Sequence, residues 1–199
     1  MFFKCYIVSL ALVGFVLAAP VRELDTRQSC STIQLVHLAG TNEEGLGLVG
    51  EPLSAALASA VPGTAVEYVI TVAKGATLTE DYLASQVSKC PSQRFVLSGY
   101  SKGALVVHSM RLPNNLKNKV LAILVFGDPA RNLNKPWPID TPSVDLAPRD
   151  GSTSSQNIAS FCNKGDIFCD IGAITVDPHL AYGTDGSTTV AAIFVKSKI

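Results

Sequence analysis

Hydrophobic and polar positions along the chain switch repeatedly between a strand-like and a helix-like period. Four short segments are rich in β-branched or aromatic residues, and the last is apolar throughout: 33–38, 66–71, 94–98 and 120–127. Such segments are typical of strands covered on both faces. Three longer segments between them are compatible with helices: 48–60, 77–89 and 103–112. This alternation predicts a mostly parallel sheet with helices on both faces.

Weaker patterns complete the predicted order of elements. Thr77 and Glu80 have the spacing of a capping box, which would mark the start of the second helix. Segment 129–155 holds five of the eleven prolines and is predicted to be a long surface connection, because too little chain follows for a second core. A strand near 157–161 would resume the sheet. Segment 187–198 fits a terminal amphipathic helix, although its β-branched residues leave a strand open.

Composition narrows the class of protein. The chain has 199 residues, of which 47% are hydrophobic, enough for one compact domain, which we place at residues 29–199. Its formal net charge is zero and its Lys and Arg residues form no cluster. The sequence therefore offers no electrostatic footprint for nucleic acid or for an anionic membrane surface.

The N-terminal segment has the pattern of a secretory signal peptide. Lys4 precedes an apolar stretch at 5–19 that is too short to span a bilayer comfortably and ends in small residues. We expect residues 1–19 to be removed, with a retained amphipathic anchor as the alternative, and residues 20–28 to be a short pro-segment. No second apolar stretch is long enough to span, so we expect a secreted protein without stable membrane insertion.

Cysteine usage agrees with an oxidising compartment. Removal of Cys5 with the signal peptide leaves an even number of cysteines, which in a secreted chain indicates two disulfides. Four cysteines allow three pairings. Cys162 and Cys169 are close enough to close a small loop, which leaves Cys30 to pair with Cys90. A zinc site is the competing interpretation, but no CxxC or HxxxH spacing supports it, and we expect no metal.

Residues 95–108, FVLSGYSKGALVVH, suggest a candidate nucleophile. Gly99 and Gly103 bracket Ser101, and they remove side chains that would clash if the backbone turned abruptly from strand to helix. A hydrolytic serine needs this strand–turn–helix context to lift its hydroxyl to the edge of a sheet. The alternative is an ordinary glycine-rich loop.

The chain contains three histidines that could serve as the base. His108 lies about 10 Å from Ser101 along the same predicted helix, so we interpret it as a packing residue. His37 lies in the first strand and is interpreted as a half-buried strand residue. His179 follows all the strands, where the Ser–acid–His order of α/β-hydrolases places the base, and it is therefore preferred.

Two aspartates lie between Ser101 and His179 at suitable places. Asp166 lies inside the predicted disulfide loop, whose fixed backbone would help to hold one imidazole tautomer. Asp128 ends the fourth strand and is the alternative acid, or a turn residue at the strand end. We prefer Asp166.

Three motifs in this order, GYSKG, CNKGDIFC and DPHLAYG, resemble the cutinase family of secreted fungal serine esterases. The resemblance extends from about Cys30 to the C-terminus. It implies a three-layer α/β/α-hydrolase-type fold with a five-stranded parallel sheet, and the chain length leaves no room for a lid domain. It also implies the catalytic set Ser101, Asp166 and His179, and the disulfides Cys30–Cys90 and Cys162–Cys169.

The family also has a Gly-Ser/Thr turn after its first strand, whose hydroxy residue helps to form the oxyanion hole. AGTNEEGLG places Thr41 there, and the resemblance implies that its backbone N–H and hydroxyl act with the backbone N–H of Lys102. Two positions depart from the family. Lys102 replaces the usual glutamine, and Ala39 stands where arginine or glycine is common. Because the donor at 102 is a main-chain group, we expect the hole to survive.

The segment between Asp166 and His179, with the residue that follows it, predicts an apolar substrate rim. Its members are Ile167, Phe168, Ile171, Ile174, Val176 and Leu180. Such a border suits an aliphatic acyl chain or a polyester surface, although half of these residues could instead pack the loop.

We expect hydrolysis of cutin-like polyesters and of short-to-medium acyl esters, without a cofactor and by a monomer. The alternatives are an acetylxylan esterase, or a secreted host-interaction module that has kept this fold without turnover.

Overall fold

The computed structural model describes residues 30–69, 74–149 and 155–199 and places a parallel sheet between two layers of helices. The predicted three-layer α/β/α architecture is confirmed. The expected signal peptide and pro-segment, and the end of the second predicted strand, lie outside the described residues. The elements are β1 (Ile33–Leu38), α1 (Gly47–Ala60), β2 (Ala65–Val69), α2 (Gly75–Lys89), β3 (Arg94–Tyr100), α3 (Lys102–Ser109), α4 (Asn114–Lys117), β4 (Val120–Phe126), β5 (Val144–Asp145), β6 (Ile158–Phe161), a 3-10 helix (Asp177–Leu180) and α5 (Ser187–Lys196).

Over the described residues, the sheet has six strands, all parallel, in the order β2-β1-β3-β4-β6-β5. Five of them were expected. The sixth, β5, is an edge strand of two residues within the proline-rich segment, which is therefore not simply a surface connection. Val144 pairs there with Ile158 of β6. A strand of two residues carries no readable hydrophobic period, which explains why the pattern did not indicate it.

Hydrophobic side chains fill both faces of the sheet. One cluster lies beneath α1 and α5 and includes Phe126 and Phe194, and the other lies beneath α2 and α3 and includes Phe95 and Met110. From Ala122 to Phe126, the side chains of β4 belong alternately to the two clusters. Strand β4 is apolar throughout because both of its faces are buried.

One predicted helix boundary is wrong. Helix α2 begins at Gly75, so Thr77 lies inside it and caps nothing. The Glu80 carboxylate instead accepts the backbone N–H of Arg111, at 2.5 Å, and so links α2 to the end of α3. The C-terminal segment is a helix, α5, as its amphipathic pattern indicated.

Both expected disulfides are present. Cys30–Cys90 joins the segment that leads into β1 to the end of α2, and Cys162–Cys169 closes a loop after β6. Among the helices of the described residues, none is both long enough and apolar enough to cross a membrane.

Candidate active site

Ser101 lies at the turn from β3 to α3 with an unusual backbone conformation. Its φ is 51° and its ψ is −115°, a strained combination for a residue that is not glycine. Its N–H donates to the carbonyl of Phe126 at the end of β4, at 2.9 Å. This strained turn lifts the serine to the carboxyl end of the sheet at the N-terminus of a helix.

The two flanking glycines make the turn possible. A Cβ on Gly103 would lie 1.9 Å from the carbonyl oxygen of Leu38, and one on Gly99 would lie 2.6 Å from the backbone of Gly103. Both contacts are with main chain, which cannot move aside. The mechanical explanation of the Gly-x-Ser-x-Gly pattern is therefore confirmed.

His179 and Asp166 form a buried pair. The Nδ1 atom of His179 lies 2.9 Å from Oδ2 of Asp166, and their residues are 5% and 0% exposed. Because a carboxylate only accepts hydrogen bonds, this contact assigns the proton to Nδ1 and leaves a lone pair on Nε2. The imidazole is therefore in the tautomer that can accept a proton.

The ends of β3 and β4 bring His179 beside the serine turn. Tyr100, the residue before Ser101, donates its hydroxyl to the carbonyl of His179 at 2.8 Å, and the two rings are 5.0 Å apart. Gly127, with φ of 55°, makes room for the imidazole, because a Cβ there would lie 2.6 Å from its Nδ1. Burial, and then the carboxylates of Glu43 and Asp166, raise the pKa of Tyr100, so its hydroxyl keeps the donated proton.

Ser101 and His179 are not hydrogen-bonded to each other in this structure. Within residues 30–69, 74–149 and 155–199, the only hydrogen bond of the His179 ring is the one that its Nδ1–H donates to Asp166. In hydrolases without bound substrate, contacts of this kind are often long and shorten when the ester binds. His179 Nε2 thus makes no hydrogen bond within the described residues.

The sequence did not indicate a role for Tyr182, whose side chain contacts Asp166. Its hydroxyl donates to Asp166 Oδ2 at 2.6 Å and accepts the backbone N–H of Asn163 at 2.9 Å. Burial, and then the hydrogen bond to Asp166, raise the pKa of Tyr182 above its ordinary value. The only available signal was its place in the DPHLAYG motif, three residues after His179.

The disulfide loop holds Asp166 through its own backbone. The N–H of Asp166 donates to the carbonyl of Asn163 at 3.0 Å, and Asp166 Oδ1 accepts the N–H of Phe168 at 2.9 Å. The side chain of Asn163 donates to Pro178 and to Asp185, which links this loop to the segment around His179. The segments that carry Asp166 and His179 are thus also linked to each other through the side chain of Asn163.

The expected oxyanion residues lie at the start of α3 and in the turn after β1. Lys102 is the exposed first residue of α3, where backbone N–H groups have no partner inside the helix. Thr41 is exposed in a turn whose preceding residues, Leu38 and Ala39, pack closely on Gly103. The structure thus brings the two segments together.

The apolar rim is exposed. Ile171 and Ile174 are 82% and 85% exposed. The remaining members, Ile167, Phe168, Val176 and Leu180, are 43% to 52% exposed. The ring of Phe168 also lies 4.3 Å from that of His179. All six side chains are therefore open to solvent, and their role as a substrate rim stays a prediction.

The other two histidines lie elsewhere. His37 is fully buried rather than half-buried; its Nδ1 contacts the Ser98 hydroxyl at 3.0 Å, and burial lowers the pKa of His37 to about 3. His108 does pack in the interior, as expected, but it also pairs with Asp128 at 2.9 Å. Asp128 accepts the N–H of Ala130 as a turn residue would, and it does not contact His179.

The described ranges offer no cluster of side chains that could bind a metal. They contain no group of three or more His, Cys, Asp or Glu side chains that could hold an ion.

Comparison with known proteins identifies the family to which the chain belongs. The family model for cutinase matches residues 29–199. A cutinase from Monilinia fructicola is 32% identical over 196 residues, which cover 90% of this chain and 89% of that protein. A cutinase from Trichoderma reesei, solved with a phosphonate inhibitor, superposes with a TM-score of 0.65 at 25% identity and covers 84% of this chain and 77% of that one.

The fold extends to a second kind of esterase. The catalytic core domain of an acetyl xylan esterase from Trichoderma reesei superposes with a TM-score of 0.65 at 19% identity, covering 85% of this chain and all of that domain. This likeness concerns the fold alone. Together with the family match over residues 29–199, these findings show that the chain belongs to the cutinase family of serine carboxylic-ester hydrolases.

Proposed function

We propose that the protein hydrolyses carboxylic esters with Ser101 as nucleophile, His179 as base and Asp166 as the carboxylate that orients it. The single observation that carries this proposal is the buried 2.9 Å contact between His179 and Asp166, in a fold that places His179 against the residue before Ser101. Serine ester hydrolysis needs these three roles in this relation.

The reaction proceeds in two halves. His179 Nε2 takes the Ser101 proton as Oγ attacks the ester carbonyl carbon, and the imidazolium then gives that proton to the leaving alkoxide. Water attacks the resulting acyl-enzyme with His179 again as base, which releases the carboxylic acid and restores the serine. The backbone N–H of Lys102, with the N–H and hydroxyl of Thr41, would stabilise the negative oxygen of each tetrahedral intermediate.

We further propose cutin-like polyesters and short-to-medium acyl esters as substrates. The exposed rim around Ile171 and Ile174 supports this choice, because apolar side chains beside a nucleophile favour an aliphatic acyl chain. In the described segments no separate domain covers the site, so we expect turnover of dissolved esters. A sharp rise in rate only above the substrate's solubility limit would argue against an open site.

The extracellular setting is supported by the two disulfides, which form and persist in oxidising compartments. We propose that residues 1–19 direct export and that the mature chain acts as a monomer. Identification of the mature N-terminus and the mass in solution would check both points.

The acyl-chain profile tests the proposed function. Hydrolysis of p-nitrophenyl esters from acetyl to palmitoyl is measured with the wild-type protein, Ser101→Ala and Ser109→Ala. Ser109 is a matched control, because it is an exposed serine at the end of α3 that bonds only its own helix. We expect turnover to peak at short-to-medium chains, to vanish in Ser101→Ala and to persist in Ser109→Ala.

Two results would redirect the assignment. A preference for acetyl over butyryl esters would favour an acetylxylan esterase, whose fold the chain shares. No turnover of any ester by the wild-type protein would favour a non-catalytic binding module.

A further inference from the structure

The loop between β1 and α1 contains a carboxylate that the proposed mechanism does not use. Oε2 of Glu43 accepts the backbone N–H of Gly40 at 2.5 Å, and Oε1 accepts the N–H of Leu48 at 2.8 Å. Both oxygens of one side chain therefore bind main-chain donors on either side of the turn that contains Thr41.

Two glycines shape the space around this carboxylate. A Cβ on Gly47, whose φ is 64°, would lie 2.6 Å from the carboxyl carbon of Glu43. A Cβ on Gly40 would lie 3.0 Å from its Oε2 and 2.9 Å from the ring of Tyr100. The glycines of AGTNEEGLG thus allow the backbone to close around the Glu43 side chain, with the ring of Tyr100 on the far side of Gly40.

The charge of Glu43 is placed at the start of a helix. Leu48 is the second residue of α1, so its N–H has no partner within the helix. Helix α1 has no acidic residue in its first turn, and its N-cap residue, Leu46, makes no side-chain hydrogen bond to it. Glu43 therefore supplies from the preceding loop the negative charge that a helix N-terminus favours.

The opposite side of the same turn rests on α3. Leu38 and Ala39 lie so close to Gly103 that no side chain fits between them. The segment 38–41 is thus held from one side by the helix that follows Ser101 and from the other by Glu43. Thr41 comes directly after Gly40, whose N–H the carboxylate holds.

We propose that Glu43 is a positioning residue of the oxyanion hole: by binding the N–H groups of Gly40 and Leu48, it fixes the peptide that presents Thr41 to the substrate oxygen. This inference rests on the proposed function. Glu43 does not touch the reacting atoms. A donor that is misplaced by about 1 Å can reduce a rate a hundredfold, so rigidity at this turn matters to the chemistry.

Glu43→Gln is the main test, with Glu44→Gln as a matched control from the same loop, since Glu44 is exposed. Glutamine has the same shape but only one acceptor oxygen, so it can hold only one of the two N–H groups. We expect kcat for p-nitrophenyl butyrate to fall about tenfold to a hundredfold in Glu43→Gln, with KM changed less than about twofold. Glu44→Gln should behave as wild type.

Binding of butylboronic acid separates positioning from stability. Ser101 Oγ adds to the trigonal boron while His179 takes the proton, which gives a tetrahedral anion that mimics the intermediate. We expect Glu43→Gln to weaken this binding by the same factor as kcat/KM. Glu43→Asp, which keeps the charge but is one methylene shorter, should show the same pattern and decides the matter if Glu43→Gln does not fold.

Three outcomes would overturn the inference. Unchanged kcat with a lower melting temperature would make Glu43 a helix cap only. A higher kcat in Glu43→Gln would mean that its charge merely repels the oxyanion. A loss of kcat without weaker boronic acid binding would exclude an effect on the oxyanion hole. Absence of ester turnover by the wild-type protein would instead contradict the proposed function.

Discussion

Two buried histidine–aspartate pairs lie near the carboxyl end of the sheet, and the contrast between them shows what makes one a candidate for catalysis. His179–Asp166 and His108–Asp128 have the same 2.9 Å separation, and both aspartates are 0% exposed. The two rings differ in what their second nitrogen contacts. His108 Nδ1 faces the carbonyl of Pro136 at 3.0 Å, whereas His179 Nε2 has no hydrogen-bond partner in the described segments.

The surroundings of the two rings agree with this difference. His108 is covered by Trp137, with ring centroids 4.0 Å apart, and both of its nitrogens face oxygen acceptors. It therefore links the proline-rich segment to α3 and has no free ring nitrogen to offer a substrate. His179 lies beside the serine turn instead. An acid partner is thus not sufficient for a base, which also needs a free nitrogen beside a nucleophile.

Replacing each aspartate by asparagine should give the largest contrast between the pairs. Asp166→Asn should reduce kcat by about a thousandfold to ten-thousandfold with little loss of fold, because the amide stabilises the wrong imidazole tautomer. Asp128→Asn should leave kcat near wild type but lower the free energy of unfolding by about 3 kcal/mol, since it breaks a buried pair. Ester kinetics and urea unfolding of both variants check this, and equal losses of kcat would remove the distinction.

The third histidine, which has no acid partner, should act only through stability at low pH. Burial lowers the pKa of His37 to about 3, so below the ordinary value of about 6.5 the unfolded chain binds a proton that the folded chain does not. The His37 contribution to the free energy of unfolding should therefore fall as pH drops from about 6.5 towards 3, by up to about 1.4 kcal/mol per pH unit.

Urea unfolding of wild type and His37→Gln between pH 7 and pH 4 measures this contribution. The variant should lose stability less steeply as the pH falls. Parallel curves for the two proteins would show that His37 does not titrate on unfolding.

Removing the Tyr182 hydroxyl should weaken the His179–Asp166 pair without breaking it. Tyr182→Phe deletes a 2.6 Å bond to the Asp166 carboxylate, and a hydrogen bond to a charged group is worth about 1.5 kcal/mol, so kcat should fall about tenfold. Because the pKa of Tyr182 is raised, the wild-type bond persists in alkaline solution and the ratio of the two rates should stay constant from pH 7 to 9.

Tyr82→Phe is the control, since the Tyr82 hydroxyl meets Gln34 near the start of β1, at the opposite end of the sheet. A kcat of Tyr182→Phe equal to that of Tyr82→Phe would show that Asp166 does not depend on the phenol.

The smallest effect should come from Lys102, the residue next to the nucleophile. Its proposed contribution is a main-chain N–H, so Lys102→Gln should keep kcat/KM for a neutral ester within about threefold of wild type. Steady-state kinetics with p-nitrophenyl butyrate measures it. A loss above about tenfold would mean that the ammonium takes part in the reaction.

Much of this molecule could be predicted because its signals are local. Strand β1 begins and ends at the predicted residues: all six positions are buried, and its four apolar residues were enough to mark the strand although Gln34 and His37 are polar. The glycines around Ser101 predicted the strained turn, and the short spacing of Cys162 and Cys169 predicted their loop.

The remaining features depend on contacts between distant segments. His108, which pairs with Asp128, also contacts the carbonyl of Pro136. That residue lies in a segment without periodicity. Glu80 was expected to cap α2, but its carboxylate is used by Arg111, 31 residues away. Tyr182 likewise contacts Asp166, which precedes it by 16 residues and is brought near only by folding, so propensity and spacing could not assign it a role.

Covalent labelling of the nucleophile tests the central claim most directly. The wild-type protein, His179→Ala and His108→Ala are treated with diethyl p-nitrophenyl phosphate, and the labelled residue is located by peptide mass mapping. We predict one phosphorylated serine, Ser101, with release of one p-nitrophenolate, and far slower labelling in His179→Ala but not in His108→Ala. A label on another serine, or equal labelling rates in the two histidine variants, would contradict the account.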